Sequence, residues 1–166
     1  MKPAEYWIEH LNLSPHPEGG YYNETYRAAE KIGVKALPER FGGDRNFGTA
    51  IYFLLSKNDR SLFHRIKSDE LWHYHDGDSL TIYVLTANGL TTQRLGIDLE
   101  LGDQPQVVVP ANHWFGASVC EKGAYTLASC TVSPGFDFGD FELAERKDLL
   151  WEYPNNAEII EKLTKP

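Results

Sequence analysis

FHRIKSDELWHYHDG, residues 63–77, places three histidines, a glutamate and two aspartates within fifteen positions. Either a metal, or an acid–base pair, or only the wet rim of a sheet would account for it. The flanking segments decide the architecture. SLFHRIK (61–67), ELWHYHDG (70–77) and LTIYVLT (80–86) alternate apolar and polar residues with a period of two, so each reads as a strand. Along residues 70–75, regular alternation points Glu70, Trp72 and Tyr74 one way, and Leu71, His73 and His75 the other. Two sites therefore compete: Glu70 with His64 from the preceding strand, and the pair His73–His75, whose Cα atoms would lie ~6.5–7 Å apart.

Outward from this block the same pattern recurs. GYYNETYRA (20–28), TAIYFLLS (49–56), GLTTQRLGI (89–97), QVVVPAN (106–112), WFGASVC (114–120) and YTLASCTV (125–132) read as further strands, and Asn88–Gly89 marks a hairpin. Residues 28–47 are irregular and read as a long loop with room for one short strand. Helical spacing appears only at the ends. PAEYWIEHL (3–11) starts on a proline suited to a first turn, and NAEIIEKLT (156–164) follows Asn155 and Asn156, either of which can cap it. SPHPEGG (14–20) breaks the chain between the first helix and the first strand. Nine or ten short strands in 166 residues, without repeat or linker, predict one all-β domain, an antiparallel sandwich or small barrel.

Composition narrows the function classes. A net charge of −8 repels phosphate backbones, so nucleic acid is not an expected partner. No apolar run approaches the ~18 residues of a membrane span, and the charged N-terminus does not read as a signal peptide; a cytoplasmic location is the expectation. The stretch Glu121–Ala124 reads as a hairpin turn that sets Cys120 near Tyr125 instead of Cys130, so both cysteines are expected as free thiols. No phosphate-binding glycine loop and no activated serine or cysteine is recognisable.

Imidazole and carboxylate suit Zn, Ni, Fe or Mn; without metal, His64 suits a general base near neutral pH. On the first strand, Glu24 is expected to share a pocket face with Tyr22 and Tyr26, leaving Arg27 on the opposite face. Trp114 is placed to stack on a planar ligand. In FDFGDFE (136–142) the phenylalanines read as packing across a sheet or a dimer interface, and Asp137 and Asp140 as solvated.

These segments resemble a known superfamily. His64, Glu70 and Gly77 follow the first cupin motif, with Glu70 and Gly77 spaced as it asks. His64 stands one position further from the glutamate than usual, and Leu62 occupies the other histidine position. VVVPANHWFGAS resembles the second motif at Pro110, with Asn112 in place of its glycine, Phe115 at its histidine position and His113 nearby. HPEGGYYNETYR, TAIYFLL, the histidine block, VVPANHWFGAS and TVSPGFDFGDFELAER together resemble the cupin five family of uncharacterised cupins. The resemblance implies a single-domain jelly-roll barrel with short terminal helices and a ligand at the open end, and a homodimer formed by strand exchange. It is also similar, through Gly20-Tyr21-Tyr22-Asn23-Glu24, to nucleotide-sugar epimerases of the rhamnose pathway, which use a histidine base and no metal; His64 matches that base.

The expected function is a small-molecule-binding cupin, acting on a carbohydrate or nucleotide-sugar by proton transfer. His64 and Glu70 are its catalytic candidates, and Glu24, Tyr22, Trp114 and Phe115 line the ligand. A non-catalytic binding or sensor cupin is the alternative. A metal-dependent enzyme is another, with His64, Glu70 and His73 (or His113) as ligands to a divalent ion.

Overall fold

The structure is a computed structural model that describes residues 2–120 and 122–166. Thirteen strands occur among them: β1 (Ser14–Pro15), β2 (Tyr21–Arg27), β3 (Lys31–Ile32), β4 (Arg45–Asn46), β5 (Thr49–Ser56), β6 (Ser61–Arg65), β7 (Asp69–Gly77), β8 (Leu80–Thr86), β9 (Gly89–Leu95), β10 (Gln106–Val109), β11 (Trp114–Val119), β12 (Tyr125–Ser133) and β13 (Glu142–Leu143). Every long segment expected as a strand is one. The irregular stretch 28–47 contributes only the two-residue ribbon β3–β4 and a 3₁₀ turn at Val34–Ala36. Glu121, the first residue of the expected turn, lies outside the described residues; Gly123 N–H donates to Cys120 O across the rest.

Two antiparallel sheets face each other. One is ordered β1-β2-β5-β12-β7-β10, the other β13-β6-β11-β8-β9. Their inner faces meet in one core. Phe53, Leu55, Trp72, Val107, Val109, Ala128 and Cys130 come from the first sheet, and Leu80, Ile82, Val84, Leu95, Phe115, Ala117 and Val119 from the second. The period-two pattern thus serves its usual purpose, with one face of each strand removed from water.

The helices cover outer faces. α1 (Ala4–His10) packs Ala4, Trp7 and Ile8 against Leu13, Leu54, Tyr125 and Leu127. At the other end α2 (Arg146–Glu152), not foreseen from sequence, and α3 (Ala157–Lys162) cover Phe63, Leu85 and Trp114 with Leu149, Ile160 and Leu163. Asn156 occupies the N-cap position of α3, but its side chain makes no capping bond. With both its faces covered, β11 is buried at every residue. Gly116 is needed there: a Cβ would sit 2.7 Å from Ser61 O of β6.

After β12 the chain crosses the open end of the sandwich as residues 134–141. Asp140 anchors this crossing. It is buried, not solvated as the sequence suggested, because Arg45 of the β3–β4 ribbon donates to both its oxygens at 2.6 Å. The pair links two irregular segments that have little regular hydrogen bonding of their own. Asp140→Ala would strand the buried guanidinium and is expected to cost about 3–5 kcal/mol in urea unfolding, whereas Arg45→Met with Asp140→Leu should recover most of it. A single variant within about 0.5 kcal/mol of the parent would contradict the anchoring role.

Candidate functional site

The open end of the sandwich encloses a cavity of about 300 Å³. Its walls are aromatic and aliphatic: Tyr22, Ile51, Phe53, Ile66, Trp72 and Val132 come from the strands and their edges, and Phe136, Phe138 and Phe141 from the crossing segment. Its polar side chains are His16, Glu18, Glu24, Thr49, His64, Glu70 and Cys130. Of the two competing arrangements, the one that pairs His64 with Glu70 is the one the cavity holds.

Two of these groups escaped the sequence reading. His16 and Glu18 stand in SPHPEGG, where prolines and glycines erase the side-chain period. The loop closes on itself through His16 N–H to Gly20 O and Gly19 N–H to His16 O, and Leu62 N–H of β6 donates to Glu18 O. Gly19, at φ +111°, lets the chain turn there; a Cβ would fall 2.0 Å from Arg60 O. This turn drives the Glu18 side chain inward. The only sequence signal was the position of HPEGG just before a strand that itself reaches the pocket.

Glu18 Oε2 lies 3.0 Å from His64 Nε2, and Ser61 Oγ donates to Glu18 Oε1 at 2.7 Å. His64 Nδ1 lies 2.7 Å from Leu62 O. A carbonyl only accepts, so Nδ1 carries a proton. The second nitrogen then meets a carboxylate, and the imidazolium–carboxylate form is favoured. Burial opposes both charges. The attraction and hydrogen bond within the pair outweigh it, so the His64 pKa rises and that of Glu18 falls. His16 is pushed the other way. Its burial, only partly offset by Glu18, lowers its pKa, and Nδ1 accepts from the Glu18 backbone N–H at 3.2 Å, leaving the proton on Nε2.

Among the described residues Glu70 has no ion-pair partner of its own; only the Cys130 thiol and the Trp72 indole stand close enough to favour its anion by hydrogen bonding. Glu70 is 8 % exposed, and burial raises its pKa to about 7, against the pull of His64 and with a further push from Glu18. The Cys130 thiol, itself held protonated by burial, stands beside it. The cavity thus holds a fixed ion pair and a carboxyl that exchanges its proton near neutrality.

The remaining candidates divide. Tyr22 and Glu24 line the cavity. Glu24 is held there by Arg27, which donates from Nε at 2.9 Å and from Nη2 at 2.7 Å. Regular alternation set these two on opposite faces. A β-bulge at Thr25, where the pairing of β2 with β5 slips between Glu24 and Tyr26, brings them together and leaves Tyr26 57 % exposed. Trp114 and Phe115 do not line the cavity. Phe115 lies in the inter-sheet core, its ring centroid 4.1 Å from that of His64. Trp114 turns to the α2–α3 side, beneath the Arg65 guanidinium. The crossing-segment phenylalanines, by contrast, wall the cavity.

His73 is also corrected. It faces outward, with Nε2 3.2 Å from Thr131 Oγ1 and Nδ1 3.3 Å from Gln106 Nε2, and neither His75 nor His113 reaches the cavity lining. Among the described residues no three His, Cys, Asp or Glu side chains are arranged to hold a metal ion. Both His64 nitrogens are already engaged, so the motif's remaining histidine is not free as a ligand, and the residues present do not fit the cupin metal.

The charges carry opposite pH signatures. The raised His64 pKa contributes stability that is complete below 6.5 and fades as pH rises through its folded value; the lowered Glu18 pKa contributes stability complete above 4.5 and lost as pH falls through its folded value. Glu70 acts in reverse. The folded state holds its proton between pH 4.5 and about 7, so stability falls across that interval, by about 3 kcal/mol. Glu70→Gln is expected to remove this decline in urea unfolding at pH 5 and pH 8; an unchanged difference would refute the assignment. Glu18→Gln is expected to lower the pH at which His64 gives up its proton, read from imidazole ¹⁵N shifts across a titration; an unchanged midpoint would contradict the pairing.

Comparison with known proteins agrees with this architecture. A hypothetical protein from Leishmania major is 37 % identical over 99 % of this chain and 100 % of its own, with a TM-score of 0.91. A protein from Shewanella oneidensis is 40 % identical over 100 % of this chain and 99 % of its own, with a TM-score of 0.89. Oxalate decarboxylase from Bacillus subtilis shares the fold alone, at 14 % identity and a TM-score of 0.53, over 90 % of this chain and 36 % of that enzyme. No curated protein matches. The profile described as "Cupin superfamily (DUF985)" matches residues 5–144, and the chain belongs to that family of cupins, with a jelly-roll fold suited to small-molecule binding.

Proposed function

We propose that this cupin binds a small neutral metabolite in the cavity and catalyses proton transfer on it, as in epimerisation or isomerisation, with Glu70 as the acid–base group. One observation carries the reading. Glu70 is an unpaired carboxyl in an apolar cavity, with its pKa at about 7, where a general acid–base works best at neutral pH. His64 then has a different role from the base implied by resemblance to the rhamnose-pathway epimerases. Engaged at both nitrogens, it supplies a fixed positive charge beside Glu70.

The lining also favours one ligand class over another. Among the described residues it contains no lysine or arginine, and Arg27 at the mouth is spent on Glu24, Asn46 and Phe136 O. A nucleotide diphosphate would find no unpaired cation in the lining, since His64 is held by Glu18. A neutral molecule with at least one apolar face suits the aromatic walls, and about 300 Å³ is the low end of small-molecule sites. The homodimer implied by the sequence resemblance is part of this proposal; a monomer mass by light scattering would remove it.

Deuterium wash-in from D₂O over a panel of neutral sugars and small cyclic metabolites, followed by mass spectrometry, tests the reaction. Exchange at an acidic carbon is expected with the parent, and a loss of about 10²-fold or more in Glu70→Gln. Tight binding with no exchange by the parent supports the non-catalytic binding cupin instead, a reading favoured by the locked His64–Glu18 pair.

A further inference from the structure

His16 lines the cavity but has no task in the proton transfer assigned to Glu70. Its ring is held on several sides. Nδ1 accepts from the Glu18 N–H at 3.2 Å. Tyr22 meets the ring edge-on with centroids 4.5 Å apart, Phe53 and Phe141 do so at 6.0 and 6.1 Å, and Phe138 lies nearly parallel at 6.3 Å. All four of these aromatic residues belong to the cavity wall. A backbone N–H only donates, so the bond to Nδ1 puts the ring's proton on Nε2, and burial favours the neutral ring. The side chain is 7 % accessible. Nε2 is part of what stays open: among the described residues it has no acceptor, yet it is not one of the polar atoms sealed from water. The other donors are committed. Both His64 nitrogens are engaged, Arg27 is spent at the mouth, and Thr49 Oγ1 is tied to the Phe136 N–H. His16 thus gives the cavity a neutral N–H donor of fixed tautomer.

We infer that His16 is a further catalytic residue, its Nε2–H donating to the oxygen of a neutral carbonyl substrate while Glu70 works at the α-carbon. The inference rests on Glu70 being the acid–base group and names the substrate class for it. A carboxylate takes a proton from carbon only when the electron pair left behind has somewhere to go, and an oxygen held by a donor is such a place. The chemistry balances without a co-reactant. Glu70 carboxylate takes the α-proton. The C–H electron pair becomes the C=C bond, and the C=O π pair moves onto oxygen. His16 keeps its own proton and strengthens its hydrogen bond to the enolate oxygen, a part that a neutral imidazole can play. Return of the proton from Glu70, to the same carbon or to a conjugated one, restores the carbonyl. The aromatic walls suit the apolar body of such a molecule.

The probe is cyclohexanone, titrated into protein labelled with ¹⁵N at its six histidines, with the His16 resonances identified by His16→Gln. Cyclohexanone is expected to move the His16 Nε2–H proton downfield and to bind about 10-fold more weakly to His16→Leu. α-Deuteration of cyclohexanone in D₂O is read separately. Its kcat is expected to fall by about 10²-fold in His16→Leu, beyond the change in KM, and to be partly restored in His16→Gln, which keeps an N–H donor. Glu70→Gln is expected to lose exchange and keep the His16 shift. No binding of cyclohexanone, binding that leaves His16 unmoved, or equal binding by parent and His16→Leu overturns the inference; where His16→Leu does not fold, the shift in the parent and the exchange rate of His16→Gln decide. A His16 shift without exchange in the parent supports carbonyl recognition by His16 and removes the proton-transfer reading. Exchange that needs Glu70 but continues undiminished in His16→Leu keeps that reading and overturns the role of His16.

Discussion

The site depends on a buried charge pair. Glu18 and His64 lie 3.0 Å apart where both are almost out of water, and neither ion would tolerate that place alone. Three further bonds make the pair viable: Ser61 Oγ to the carboxylate, Nδ1–H to Leu62 O, and the Leu62 N–H to Glu18 O that fixes the loop on β6. Because the pair is internally neutral, it sets a local field without adding net charge. Glu70 feels both members, the imidazolium favouring its anion and the carboxylate opposing it, while desolvation dominates.

The open end of the jelly roll is closed by elements that are not strands. The HPEGG loop brings in Glu18 and His16, the 134–141 crossing brings three phenylalanines, and the Arg45–Asp140 pair ties that crossing to the β3–β4 ribbon. Packing of the sandwich core therefore supplies the cavity's floor, and the irregular segments supply much of its rim. Phe138, 52 % exposed, stands where wall becomes surface. Oxalate decarboxylase shares the sandwich with this chain at 14 % identity, and a shared fold does not carry a shared ligand.

How much of this was legible follows the same division. Period-two alternation located β5 to β9, β11 and β12 and set Glu70 and the His73–His75 pair on opposite faces of β7, which left two sites in competition; the cavity takes the face of Glu70, with His64. It failed where its premise fails. β11 is buried on both faces, so apolar residues there say nothing of direction, and Trp114 and Phe115 were assigned to the wrong side of a wall. The bulge at Thr25 shifts the phase of β2 by one residue and reunites Glu24 with Arg27. Glu18 and His16 sit where glycine and proline replace periodicity with turn geometry. Asp140 needed a partner 95 residues away to become a buried anchor instead of a surface charge.

The account stands on two neighbouring glutamates in opposite protonation states, and a ¹³C titration of the glutamate side-chain carboxyls reads both directly. One resonance, absent in Glu70→Gln, is predicted to titrate near pH 7, and another, absent in Glu18→Gln, to remain ionised below the ordinary value of 4.5. If every glutamate titrates together near 4.5, the cavity holds no poised acid and the chemistry assigned to it is contradicted.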